Sequence, residues 1–337
     1  MSQSRSAYAG SRTLSSDTKT RESGKSDRRL QAWHVFLVVG ILTTGAYFLI
    51  PFQSTQDALR PLFTLAALGA VVAGILLHRP RRPLPWYLIA SAMLLFVFGI
   101  AAYVYYEVTT EVDPVVSMAD VFFLASYPFA AAGVLLFQRQ RLARDRASTI
   151  DPIIVAVGVG IYVWVFLMRP YATDPSLSLI ERLVSVAYPL MDVLLLAVVV
   201  RMLLVSGKRP FAYYPLVAGL LCTLAFDAAY TATKLAGTYR VGSPFDVFEM
   251  LFGVLLGTAA LHPSMAELSD GVVLDPQTKL TRRRLVLLAA ASLTAPGLLA
   301  LQAARGEPLN VPIIVGGSVV LFLLVLARMS GIMSTRE

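Results

Sequence analysis

The amino-acid sequence predicts an all-α, polytopic integral membrane protein of about ten transmembrane helices, with N- and C-termini on the cytoplasmic side. Three observations carry this reading. Of the 337 residues, 56% are hydrophobic and only 15% are charged, and the mean hydropathy is +0.67. A soluble domain carries ~25% charged residues, so the apolar excess here must face lipid. Apolar runs long enough to cross ~30 Å of hydrocarbon recur from one end of the chain to the other. Finally, Lys and Arg are dense in every second loop, the asymmetry that orients helices in a membrane.

Residues 1–30 are rich in Ser, Thr, Lys and Arg and read as a disordered cytoplasmic tail, because they hold too little apolar surface to fold. The run that follows is long and lacks a small-residue cleavage site, so it reads as a span and not as a signal peptide. Apolar runs lie at 33–51, 60–77, 84–106, 117–137, 150–168, 181–203, 211–233, 245–262, 284–303 and 310–328. Each is expected to be a helix, since backbone groups in lipid must be satisfied within the segment. Residues 31–262 thus read as an eight-helix membrane bundle and 263–283 as a cytoplasmic loop too short to fold by itself. Residues 284–337 read as a two-helix transmembrane hairpin with a short cytoplasmic tail. Trp33, Trp86 and Tyr87, and at the other face Tyr103, Tyr105 and Tyr106, sit where aromatic belts are expected.

Orientation follows from the basic residues. With the N-terminus inside, 23 of the 29 Lys and Arg fall in inner segments, including Arg79, Arg81 and Arg82 and the group Arg139, Arg141, Arg144 and Arg146. The outer segments hold Arg60, Arg169, Arg182, Lys234, Arg240 and Arg305. A wrong number of spans would scramble this alternation.

Several function classes drop out. The net charge of +8 sits in short clusters between apolar runs, which is no nucleic-acid footprint. The single cysteine, Cys222, excludes a disulfide framework and a thiolate metal site. No Gly-rich phosphate loop, His-Glu-x-x-His run or nucleophile elbow occurs, so no catalytic residue, no metal and no cofactor is assigned and the chain does not read as an enzyme. His34, His78 and His262 fall near the cytoplasmic ends of different runs and read as interfacial.

The informative residues are acids inside the runs, where a carboxylate costs ~2.5–3.5 kcal/mol on insertion scales unless it meets a cavity or a partner. Asp120 and Asp227 lie within a turn or two of the outer ends of the fourth and seventh runs, and Asp246 and Glu249 open the eighth. Asp192 is deepest, near the middle of the sixth. The inner halves are expected to hold no acid. This points to an outward-facing acidic pocket, with Tyr230 and Lys234 on the face of Asp227. Its occupant is a small ligand or ion from outside, a proton, or nothing beyond structural hydrogen bonds. A weak parallel repeat, Tyr127-Pro128 and Tyr188-Pro189, adds two prolines that tend to kink the fourth and sixth helices.

Ser117-Met118-Ala119-Asp120-Val121, Tyr127-Pro128, Tyr188-Pro189-Leu190-Met191-Asp192, Asp227-Ala228-Ala229-Tyr230 and Ala260-Leu261-His262-Pro263-Ser264-Met265 resemble the membrane sensor region of actinobacterial GGDEF/EAL (cyclic-di-GMP) signalling proteins. In that family the last span runs into a cytoplasmic catalytic domain, and neither a GGDEF nor an EAL motif occurs here. The resemblance implies a multi-pass sensor or receptor module for signal transduction in the plasma membrane. It would bind its ligand through Asp120, Tyr127, Tyr188, Asp192, Asp227, Tyr230, Lys234, Asp246 and Glu249. Its partners would be the bilayer, the small ligand and a second copy in a homodimer, with no nucleic acid. A ten-helix secondary transporter of small metabolites or cations, and a structural membrane protein without a ligand, are the alternative readings.

Overall fold

The computed structural model describes residues 32–110, 116–138, 147–204, 209–270, 282–306 and 310–333. The tail 1–30, part of the 263–283 loop and the last four residues lie outside this range, as do most of the inner basic clusters. All regular structure among the described residues is helical.

In chain order the helices are α1 (Ala32–Tyr47), α2 (Gln53–His78), α3 (Leu84–Thr110), α4 (Met118–Phe137) and α5 (Ala147–Val163). They continue as α6 (Leu179–Leu204), α7 (Tyr213–Leu235), α8 (Asp246–Leu261), α9 (Met265–Asp270), α10 (Arg282–Ser292), α11 (Thr294–Arg305) and α12 (Val311–Met333). Among the described residues, seven helices are long and apolar enough to cross a membrane: α2, α3, α4, the extended α5, α6, α7 and α12. Each predicted run is helical, but α1 and α8 are shorter, and the run at 284–303 is broken into α10 and α11.

The break has a local cause. Pro296 has no N–H to offer the Ser292 carbonyl, so the ladder is interrupted and a new helix begins at Thr294, whose hydroxyl donates to the Ala291 carbonyl at 2.6 Å. A proline also marks the irregular end of α5. There Pro170 follows a π-helical turn, Trp164–Met168, in which the Arg169 N–H donates to the Trp164 carbonyl, five residues back.

Six helices close a ring: α2 packs on α8, α8 on α7, α7 on α6, α6 on α4, α4 on α3, and α3 back on α2. One half of its interior is apolar, built from Val71, Trp86, Val134, Val199, Leu216 and Ala259. The short α9, within the segment expected to be a plain loop, plugs this end with Met265 and Leu268. The indole N–H of Trp86 donates to the Met265 carbonyl at 3.3 Å. Gly74 lies so close to the Ala260 carbonyl that any methyl there would overlap it, and this lets α2 and α8 approach backbone to backbone. Outside the ring, α1 lies on α2 and α8, with Phe36 over Gly257. On the other flank α5, α10, α11 and α12 share a second apolar core with one side of α6.

Candidate functional site

The second half of the ring interior is polar, and it is where the acids of the sequence collect. α4 starts with a capping box: the Ser117 hydroxyl accepts from the Ala119 N–H, and the Asp120 carboxylate accepts from the Ser117 N–H at 2.6 Å. The other Asp120 oxygen, Oδ1, accepts from the Tyr188 hydroxyl of α6 at 2.6 Å. Further along, Tyr127 of α4 donates to Asp192 Oδ1 of α6 at 2.8 Å. The two Tyr-Pro elements of the repeat thus bond reciprocally, each tyrosine to the aspartate of the other helix. The sequence order of the partners matches on both helices, so α4 and α6 run parallel.

Asp227 of α7 lies within side-chain reach of Asp192 and of Thr223, one helical turn earlier. A hydrogen bond between two carboxyl groups requires a proton on one of them. Asp120 is thus tied to α6 through Tyr188, and Asp192 to α4 through Tyr127.

Asp246 and Glu249 have partners of their own. Asp246, fully buried, accepts from the Tyr47 hydroxyl at 3.0 Å, from the Gly242 N–H at 2.8 Å and from the Tyr239 hydroxyl at 3.4 Å. Glu249 Oε2 takes both Arg60 Nε at 2.8 Å and Nη2 at 2.6 Å, and Arg60 Nη1 donates to the Tyr239 hydroxyl at 3.0 Å. In the α7–α8 loop, burial lifts the Tyr239 phenol above its ordinary range, and Arg60 partly opposes that. Tyr230 does not bind a carboxyl: it meets Tyr239 edge-on at 4.7 Å, and the Lys234 ammonium lies 5.6 Å from its ring.

Two expectations are corrected. Arg60, expected in an outer segment at the very start of the 60–77 run, lies two turns inside α2, which begins at Gln53, and is the cation of the network. The inner halves were expected to hold no acid, yet Asp151 near the start of α5 is buried and paired with Arg328 of α12 at 2.7 Å. Sequence reasoning also missed Tyr47, Tyr239 and Thr223. Arg60 carried the one available signal, a lone cation flanked by apolar residues.

A groove of about 530 Å³ lies elsewhere, between α2 and α3, lined by apolar groups such as Leu65, Val97, Ile100 and Val108. Among the described residues no three His, Cys, Asp or Glu side chains form a group that could hold a metal ion. Chemically, the acid end offers part-buried carboxyls, one guanidinium and several phenols, groups that exchange protons and trade hydrogen bonds.

Fold and site define a class: an all-helical, membrane-embedded protein with a part-buried acidic network at one end of a six-helix ring. Comparison with protein-family models, with curated proteins and with solved structures finds no match for this chain.

Proposed function

We propose that the chain is a multi-pass membrane sensor or receptor module whose input is the acidic end of the ring. The observation that carries this reading is the carboxyl pair Asp192–Asp227, side by side across α6 and α7, with Asp192 tied to α4 by the Tyr127 hydroxyl. A pair holding one proton between two acids can exchange it for a small cation or an amine. Such exchange would alter how α4, α6 and α7 pack against one another, and a ligand that binds two such arrangements unequally shifts their populations. The resemblance to membrane sensor regions of GGDEF/EAL signalling proteins favours the same reading. On it, ten spans carry both termini to the cytoplasm, the acids face outward, and no catalytic role falls to this chain. The 23-to-6 division of Lys and Arg supports that orientation.

Reporter fusions after residues 112, 176, 238 and 307 should report the outside and those after 80, 143, 207 and 275 the inside. Two adjacent reversals would remove a span. The functional test is thermal unfolding of the protein in nanodiscs against sodium, potassium and a panel of small amines. A ligand at a hundred times its Kd stabilises by ~2.7 kcal/mol. Wild type should gain stability with at least one cation, and Asp192→Asn should keep its unliganded midpoint but lose that gain. Reduced stability of Asp192→Asn with no ligand effect in wild type would leave the acids as packing elements. Net uptake of the stabilising cation into proteoliposomes would make the protein a transporter instead.

A further inference from the structure

At the opposite end of the ring, the Leu261-His262-Pro263-Ser264-Met265 turn joins α8 to the plug α9, and its hydrogen bonds fix the protonation state of His262. The Ser264 N–H donates to His262 Nδ1 at 3.1 Å. The Ser264 hydroxyl, 2.8 Å from the same nitrogen, already accepts from the buried Ala212 N–H at 2.9 Å. Its own proton therefore points to Nδ1. With two donors aimed at it, Nδ1 carries no hydrogen, and the ring is neutral with its proton on Nε2. This one acceptor organises the turn, the start of α9 and, through Ser264, the residue that precedes α7.

The surroundings oppose a charge on that ring. His262 is half-buried just past the end of α8, stacked on Phe211 at 4.4 Å and edge-on to Trp33 at 4.9 Å. The titratable groups that act on it are His78 of α2 and His34 of α1, and His34 itself stacks on Trp33 at 3.5 Å. From the α6–α7 side, Arg209 is engaged by the Leu203 carbonyl and the Tyr213 ring. Burial first, then the two neighbouring imidazoles, hold the His262 pKa below its ordinary value.

We propose that His262 is a proton-sensitive latch: neutral, it locks α9 against the base of α7 and the ring, and protonated, it releases them. Protonating Nδ1 turns the acceptor into a donor facing the Ser264 N–H, an obligate donor, so the turn that carries Ser264 and its bond to Ala212 loses its anchor, and the clustered imidazoles oppose the new charge. The sign follows from linkage. The closed form binds the proton less well than an open turn with the ordinary value near 6.5. Its advantage is complete above that pH and declines as pH falls towards the lower, closed-state value.

Hydrogen exchange of the whole protein in nanodiscs tests this, with rates corrected for the intrinsic effect of pH. The amides around Ala212 and across 264–268 should be protected at pH 7.5 and lose that protection by pH 5, while amides in the middle of α6 stay unchanged. His262→Asn supplies an acceptor oxygen near the Nδ1 position and cannot take up the proton, so it should stay protected at pH 5. Wild type without the acceleration, or His262→Asn opening as wild type does, would overturn the proposal. If His262→Asn does not fold, His34→Gln and His78→Gln decide. Removing either neighbouring imidazole should move the midpoint to higher pH, and an unmoved midpoint would overturn the latch.

Discussion

Two buried polar assemblies hold helices together in this molecule, and they follow opposite plans. At the acid end of the ring, carboxyls from α4, α6 and α8 are met by phenols, two backbone N–H groups and a single guanidinium. Asp192 has both Tyr127 and Asp227, and Asp246 has three donors, so the loss of one partner leaves others. Between α5 and α12 stands a lone ion pair, Asp151 Oδ1 to Arg328 Nε, with the two side chains only 1% and 8% exposed. Among the described residues, Asp151 Oδ2 has no hydrogen-bond partner. A charge pair in low dielectric offsets its desolvation only while both members are present and well bonded. The network should therefore bend under substitution, where the lone pair should break.

The largest expected effect is at that pair. Arg328→Met leaves the Asp151 carboxylate buried without a counter-charge and should cost ~3–5 kcal/mol in the unfolding of the protein in micelles. Replacing both, Asp151→Leu with Arg328→Met, should recover most of that loss, because no charge is then stranded. A single-variant cost below ~1 kcal/mol is what a solvated surface pair gives, and would erase the contrast between the two assemblies.

How far these assemblies could be read from the sequence differs for the same physical reason. Hydropathy reports what faces lipid, so the apolar runs marked every long helix, and the isolated acids marked one polar end of the ring. It treats a charge at the edge of a run as a boundary. Arg60 was thereby assigned to an outer segment and Asp151 passed over, although both lie inside helices and pair with residues almost two hundred positions away in the chain. Pro296, which splits α10 from α11, was legible in principle, since a missing N–H interrupts any helix. The reciprocal bonds of Tyr127 and Tyr188 were not. The repeat showed two similar elements, but only the packing of α4 on α6 at matched depth turns similarity into contact.

The smallest effect tests whether those reciprocal bonds act singly or as one unit. Tyr127→Phe and Tyr188→Phe each remove one interhelical hydrogen bond and keep the ring. Such bonds between membrane helices average ~0.6 kcal/mol and reach ~1.7. Neither aspartate is stranded, since Asp192 keeps Asp227 and Asp120 keeps the Ser117 N–H. Tyr127→Phe should cost the more of the two, because Asp192 lies deeper in its helix than Asp120. The bonded positions on α4 are seven residues apart, roughly 10 Å along the axis. At that distance independent sites add within ~0.3–0.5 kcal/mol, so the double variant should cost the sum of the singles. A coupling energy above ~1 kcal/mol would mean that the bonds stiffen one another through Asp192 and Asp227, as polarised networks in low dielectric do. The tolerance expected of the network would then fail, since losing one phenol would weaken the whole acid end in the way that losing Arg328 weakens the lone pair.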